Sequence, residues 1–323
     1  MADMHSHFGM WGLRLPGFNL VTRMRESNTT LLAWSVTDDW RWITPGQNGW
    51  TQHRIPAPGE LWEAFQKRYE TYDLRLKEWQ GTKALTAADV DAALAGEPRV
   101  LMATEGANFL EGQPERLAVV HGWGVRHVQL VHFIQSPLGD HQTAEPKHGG
   151  LTPTGVKVVQ ECARLGIVVD LAHGTGNLVD GMLDASGGIP VWSHSWISPS
   201  GGNWTDPGYI ARSLSPAHAK KIAARGGVVG LWTVNVRFGY PVTNARQYAD
   251  EIIRMCELIG PAHVAFGTDM EGAGRNPILN NYVDLRAVAD DLLRRGLPGD
   301  DLRGVLIGNY ARAVKAAMNN AKP

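Results

Sequence analysis

The chain has 323 residues, 31 Lys and Arg against 32 Asp and Glu, a formal net charge of −1 and a pI near 6.9. That balance leaves no basic excess to neutralise a phosphate backbone, which excludes nucleic acid as an expected partner. Only Cys162 and Cys256 are present, so neither a disulfide framework nor a thiolate metal site is indicated, and no apolar run reaches the roughly 20 residues that span a bilayer.

The chain opens on Asp3-Met4-His5-Ser6-His7 after a short apolar start. Imidazoles at i and i+2 of a strand point to the same side, so His5 and His7 can converge on one cation. Short β-rich runs follow at Thr30 to Val36, Val100 to Thr104, His127 to Val131, Ile167 to Leu171, Ile189 to Ser193, Gly227 to Trp232 and His263 to Thr268. With the opening segment they make eight strands. Between them lie helical patterns with start signals, such as Thr86 with Asp89 three residues on and Thr152 followed by Pro153. Alternating strands and helices argue for a parallel sheet, and eight units in about 270 residues predict an α/β chain folded as one (β/α)8 TIM barrel domain over residues 1–323.

The exception is Thr37 to Leu85, too long for one connection. Its first part, with Trp40, Trp42, Trp50, Pro45, Pro56 and Pro58, reads as an irregular loop. Its second, Glu60 to Trp79, reads as one long amphipathic helix. Such a loop–helix insertion either serves the barrel mouth or packs its tryptophans on the outside of the barrel.

Ionisable residues then recur at strand ends. Glu105 follows Val100–Thr104, His132 follows Val128–Val131, His173 follows Val168–Ala172, His194 follows Pro190–Ser193 and Asp269 follows Val264–Thr268. In a barrel these carboxyl ends share one face, where groups distant in sequence meet. Burying that many ionisable groups together is costly unless a cation compensates. His5 and His7 on one ion, His173 and His194 on another, and Glu105 between them would give two divalent cations with a hydroxide as nucleophile.

These residues resemble the membrane dipeptidases, peptidase family M19 of the amidohydrolase superfamily. The likeness is carried in order by Asp3-Met4-His5, Trp34-Ser35-Val36, Thr104-Glu105-Gly106, Gly149 to Gly155, Val169 to His173, Ser193-His194-Ser195, Arg225 to Val229, Gly267-Thr268-Asp269 and Gly308-Asn309. It implies a binuclear zinc barrel that hydrolyses the amide bond of a dipeptide or dipeptide-like compound. By that resemblance His5 and His7 hold the first zinc, Glu105 bridges, and His173 and His194 hold the second. His132 would donate to the substrate carbonyl oxygen, Asp269 would move the proton between water and leaving amine, and Arg212 would bind the substrate carboxylate.

Three departures bear on that expectation. His7 stands where the family usually has Asp, extra residues at Ser198 to Gly208 precede Arg212, and Phe133 to His148 shares little with the family. The last two regions border the substrate, so an amidohydrolase acting on a lactam, an ester or a modified amino acid amide is the alternative; a non-catalytic binding protein on a barrel scaffold is a distant one. His141 and His148 read as solvated loop residues, Glu271 as a surface carboxylate, Tyr240 as packing, and His53, His121, His127, His218 and His263 as structural. The chain as it stands reads as soluble and cytoplasmic, or periplasmic or secreted if a leader was removed. Related enzymes are often homodimers, although the sequence carries no interface signature.

Overall fold

Strand residues alternate between two apolar environments, which is why the runs look continuously hydrophobic. Along Leu31–Val36, Leu31 and Ala33 face the barrel interior, while Leu32 and Trp34 join the outer layer that the helices cover. The computed structural model describes residues 1–10, 17–37, 39–46, 49–185, 188–198, 211–234, 242–272 and 278–322. Its strands are β1 Ala2–Ser6, β2 Leu31–Val36, β3 Ile43–Gly46, β4 Gly49–Gln52, β5 Arg99–Thr104, β6 Val125–Gln129, β7 Val168–Asp170, β8 Val191–Ser195, β9 Val228–Leu231 and β10 Val264–Phe266. All but β3 and β4 form one eight-stranded parallel sheet in chain order. The sheet closes on itself where His7 N donates to Met270 O at 2.9 Å and Asp269 N to His5 O at 2.9 Å. The fold is the predicted (β/α)8 barrel.

The floor of the barrel is plugged. Met4, Ala33, Leu101, Ala103, Val168, Val191, Val228 and Ala265 pack with Tyr310 and Val314 of the helix Asn309–Asn319. Higher up, β8, β9 and β10 approach each other closely. A Cβ on Gly267 would lie 1.5 Å from the Ser193 carbonyl oxygen, and one on Gly230 would lie 2.0 Å from it. Only glycine permits that approach, and it draws the strand carrying His194 into the barrel. The expected helix starts are present: the Thr86 and Asp89 side chains form a reciprocal capping box, and Thr152 caps the helix that opens with Pro153.

Strand ends differ from the sequence expectation. β6 begins two residues earlier and ends at Gln129, the last residue in register with β7; Leu130 and Val131 continue the apolar run beyond the strand, although Leu130 N still donates to Asp170 O at 3.2 Å. β8 starts after Pro190, which lacks an N–H, and runs on to Ser195, so His194 lies inside the strand rather than beyond it. The insertion is also more ordered than an irregular loop. It forms a 3-10 turn, Asp39–Arg41, an antiparallel hairpin of β3 and β4, and the helix Glu60–Glu78. Trp42 is fully buried in a small cluster with Ile43, Ala64 and Ile134, and Trp34 packs on Tyr72 of the helix at 4.3 Å between ring centroids. No described helix is long and apolar enough to cross a membrane.

Candidate metal centre

The carboxyl ends of the strands bring His5, His7, Glu105, His132, His173, His194 and Asp269 together, all buried. His5 lies in β1 and His7 just beyond it; Glu105 follows β5; His132, His173 and Asp269 each stand three residues past β6, β7 and β10. His173 and Asp269 hold left-handed backbones, with φ of 69° and 53°. Strain of that kind in non-glycine residues collects at functional sites.

Their donor atoms face inward. His5 Nε2 lies 3.2 Å from His7 Nε2, and His173 Nε2 lies 3.1 Å from His194 Nε2. Glu105 sits between the pairs: Oε1 is 3.4 Å from His5 Nε2, 3.5 Å from His173 Nε2 and 3.6 Å from His194 Nε2, and Oε2 is 3.1 Å from His7 Nε2. Asp269 Oδ1 lies 3.5 Å from His7 Nε2 and 3.9 Å from His5 Nε2, and it is buried with no hydrogen-bond partner among the described residues. Tetrahedral ligands about 2.0–2.1 Å from zinc stand about 3.3–3.4 Å from one another. Facing imidazole lone pairs and an orphaned carboxylate oxygen at such separations fit divalent cations. Among the described residues the donor atoms fall into three overlapping sets: His5, His7, Glu105 and Asp269; Glu105, His173 and His194; and His5, Asp170 and His194. All are nitrogen or oxygen ligands, suited to zinc and its neighbours.

Surrounding groups fix these rings. Ser35 Oγ lies 3.2 Å from His5 Nδ1 and Ser193 Oγ lies 2.9 Å from His194 Nδ1, leaving each Nε2 to the centre. Asp3 ties β1 to β10 by accepting from Thr268 N at 2.9 Å and from His5 N at 3.2 Å. Asp170 joins the ends of β7 and β8, accepting from Ala172 N and Ser193 N, both at 3.0 Å. Trp232 Nε1 donates to Asp269 Oδ2 at 2.9 Å. His132 is held from both sides, with Nδ1 2.7 Å from Asp39 Oδ2 and Nε2 3.2 Å from Glu105 Oε1.

The electrostatics follow from burial and these neighbours. Burial pushes the Glu105 carboxyl up, but His132, His7 and His173 outweigh it and hold it well below the usual range. Burial and the nearby Glu105 charge raise Asp269. Burial, then Arg212 and His132, hold His173 well below its ordinary value, and burial with His5 does the same for His194. Neutral imidazoles have the free lone pairs a metal needs. Burial opposes charge on His132, yet Asp39 and Glu105 lift it to about 10.

Arg212 stands apart from the cluster. Its Nη1 donates to Gln142 Oε1 at 2.7 Å and its guanidinium lies over the Trp232 ring at 5.3 Å, while Nε and Nη2 are buried and have no partner among the described residues. Two assignments change. His141 is buried, not solvated: Nδ1 lies 3.1 Å from Thr143 Oγ1, and burial with the nearby His132 charge lowers it to about 4. Glu271 is no free surface carboxylate, because its Oε2 accepts from Gly9 N at 3.0 Å. Tyr240 and residues 199–208 lie outside the described residues. Asp39, Asp170 and Trp232 were not among the residues that sequence reasoning singled out; Asp39 carries a signal in its offset from β2, taken up below.

Comparison with known proteins places this geometry in a family. The model of the membrane dipeptidases (peptidase family M19) matches residues 20–323. Dipeptidase 3 of Rattus norvegicus is 30% identical over 223 residues, covering 67% of this chain and 44% of its own length. Dipeptidase aclJ of Aspergillus oryzae is 28% identical over 231 residues, 66% of this chain and 50% of its own. The chain thus spans about half the length of these curated relatives. Among solved structures, dipeptidase AC, a family M19 metallopeptidase, superposes with a TM-score of 0.81 at 20% identity over 98% of both chains. A Rhodobacter sphaeroides metallopeptidase liganded with a phosphinate mimic of the dipeptide L-Ala-D-Ala gives 0.80 at 19% identity, again over 98% of both. At those identities the superpositions speak for the fold, and the family model for kinship: the chain belongs to the membrane dipeptidase family, peptidase family M19.

Proposed function

We propose that the protein is a metal-dependent dipeptidase with His5, His7, Glu105 and Asp269 around one divalent ion and Glu105, His173 and His194 around a second. The observation that carries this reading is the convergence of the His5, His7, His173 and His194 Nε2 atoms on Glu105, within 3.1–3.6 Å of its carboxylate, with His132 Nε2 beside them at 3.2 Å. Divalent ions held there supply Lewis acidity and bring the pKa of water toward neutrality, the source of hydroxide at ordinary pH.

The chain's own residues do the rest. His132 offers Nε2 as a hydrogen-bond donor to the substrate carbonyl oxygen, where negative charge develops during attack. Asp269, raised by burial and by Glu105, takes the proton of the attacking water and returns it to the departing amine. Arg212 meets the free carboxylate with Nε and Nη2, the two donors left unpaired. A dipeptide presents the one amide bond and the one free carboxylate that these groups would engage. The test is elemental analysis of the purified protein beside a hydrolysis panel of dipeptides, amino acid amides and esters. Expected are bound zinc or a related ion, turnover of dipeptides, loss of turnover on chelation and recovery with zinc. A metal-free protein that hydrolyses dipeptides, or a metal-loaded one that prefers the esters, would overturn the proposal.

A further inference from the structure

The insertion at 37–85 delivers one polar side chain to the centre of the site. Asp39, 6% exposed, opens the 3-10 turn that follows β2. Its Oδ2 lies 2.7 Å from His132 Nδ1, and its Oδ1 accepts from Thr37 Oγ1 at 3.3 Å. The turn is pinned from behind, because Trp42 N donates to Asp39 O at 2.9 Å and the Trp42 ring is fully buried among Ile43, Ala64 and Ile134. A cavity of about 20 Å³ beside Asp39 and Glu105 has room for about one water. Asp39 is therefore nearly dry, and His132 Nδ1 is its shortest hydrogen-bond contact.

An imidazole reaches a given point with Nε2 in only one of its two ring orientations, and the partner of Nδ1 selects it. With Nδ1 on Asp39, Nε2 stands 3.2 Å from Glu105 Oε1; a flipped ring would offer carbon there. We infer that Asp39 is a positioning residue for His132, so that the tryptophan-rich insertion is part of the catalytic apparatus and not only a cover for the barrel wall. The catalytic half of this inference rests on the dipeptidase reading; the orienting half does not.

The test compares Asp39→Ala and Asp39→Asn with wild type, all reconstituted with zinc. The His132 Nδ1 proton, assigned by its disappearance in His132→Gln, gives a slowly exchanging downfield NMR signal in wild type and none in Asp39→Ala. In Asp39→Ala, kcat on a dipeptide falls about 10- to 100-fold, KM stays within about threefold and zinc content is unchanged. Asp39→Asn, which keeps an acceptor oxygen, loses less. An unchanged kcat in Asp39→Ala, equal losses in both variants, or zinc content falling in step with activity would overturn the inference. A wild type that turns over no dipeptide would sink the functional reading and the catalytic half with it, while the ring-proton signal would still decide whether Asp39 orients His132.

Discussion

Replacing Arg212 with Lys tests the proposed substrate more sharply than removing any metal ligand would. Arg212 is 4% exposed, and burial lowers its pKa to about 10, so it remains a cation at neutral pH. Nη1 is taken by Gln142, but Nε and Nη2 are buried and have no partner among the described residues. Leaving buried donors unpaired costs about 1–3 kcal/mol each, a cost that a bound carboxylate would remove through two parallel hydrogen bonds. Lysine keeps the charge and loses the planar fork. One charge-assisted hydrogen bond, worth about 1.5–3 kcal/mol, should disappear; at about 1.4 kcal/mol per tenfold that is a roughly 10- to 100-fold drop in kcat/KM. The assay pairs a dipeptide with the same dipeptide carrying a C-terminal amide. Wild type should favour the free acid strongly, and Arg212→Lys should lower kcat/KM for the acid alone, with the amide changed by less than about threefold. An equal loss on both compounds would show that Arg212 supports the fold and does not read a carboxylate.

Gly267→Ala should be severe, because its Cβ would fall 1.5 Å from the Ser193 carbonyl oxygen, and backbone cannot step aside as a side chain can. Denaturant unfolding should show a loss above about 4 kcal/mol and elemental analysis a loss of metal, since Ser193 precedes His194; a normal midpoint and metal content would refute the crowding argument. Asp269→Asn keeps volume and an oxygen donor but removes the proton carrier, so metal should stay bound through His5, His7 and Glu105 while kcat falls about 10²- to 10⁴-fold, and full activity would remove Asp269 from the mechanism. Asp140 concerns the loop that carries His141. Burial pushes its carboxyl up, but the Lys147, Gly150 and His148 amides outweigh that and hold it below 3.8, with Lys147 N at 2.7 Å and Gly150 N at 2.8 Å. A depressed folded-state value means stability fully present above 3.8 and lost as pH falls through the lower one. Protection factors at the Lys147 and Gly150 amides, each taken against the intrinsic exchange rate at the same pH, should therefore stay high at neutral pH and fall only on acidification below about 4, whereas Asp140→Asn should exchange fast at pH 7. Slow exchange in that variant at pH 7 would show that the carboxylate does not hold the loop.

The barrel was legible because its physics is local. Period-two alternation separates Leu31 and Ala33 from Leu32 and Trp34, and capping signals at Thr86 and Thr152 mark helix starts with no knowledge of the partners. The seven clustered site residues were legible for a related reason: each ends an apolar run, and a barrel collects such ends on one face. Arg212 and His141 lack that periodic context. The burial of His141 comes from tertiary contacts, such as Gln142 N donating to the His173 carbonyl at 2.7 Å and Arg212 reaching back to Gln142. A polar loop that is held under other loops looks the same in sequence as one lying in water.

Asp39 was hidden for a different reason. It stands three residues after the last residue of β2, the offset that also separates His132 from β6, His173 from β7 and Asp269 from β10. In the sequence that regularity is blurred, because apolar runs outlast the assigned strands: Leu130 and Val131, like Leu171 and Ala172, are buried without belonging to a strand, although Leu130 N and Leu171 N still donate to Asp170 O and Val191 O. The ends read from hydrophobicity for β6, β7 and β10 therefore fall one or two residues late, and the offsets look unrelated. Counted from the last paired residue, the rim has a rule. The third residue past the ladder can turn back over the barrel mouth, and at four of the eight strands it carries a carboxylate or an imidazole aimed at the centre. Asp39 obeys the rule from within a segment that otherwise looks like an ornament on the barrel, which is the reason to treat its contact with His132 as part of the site's construction.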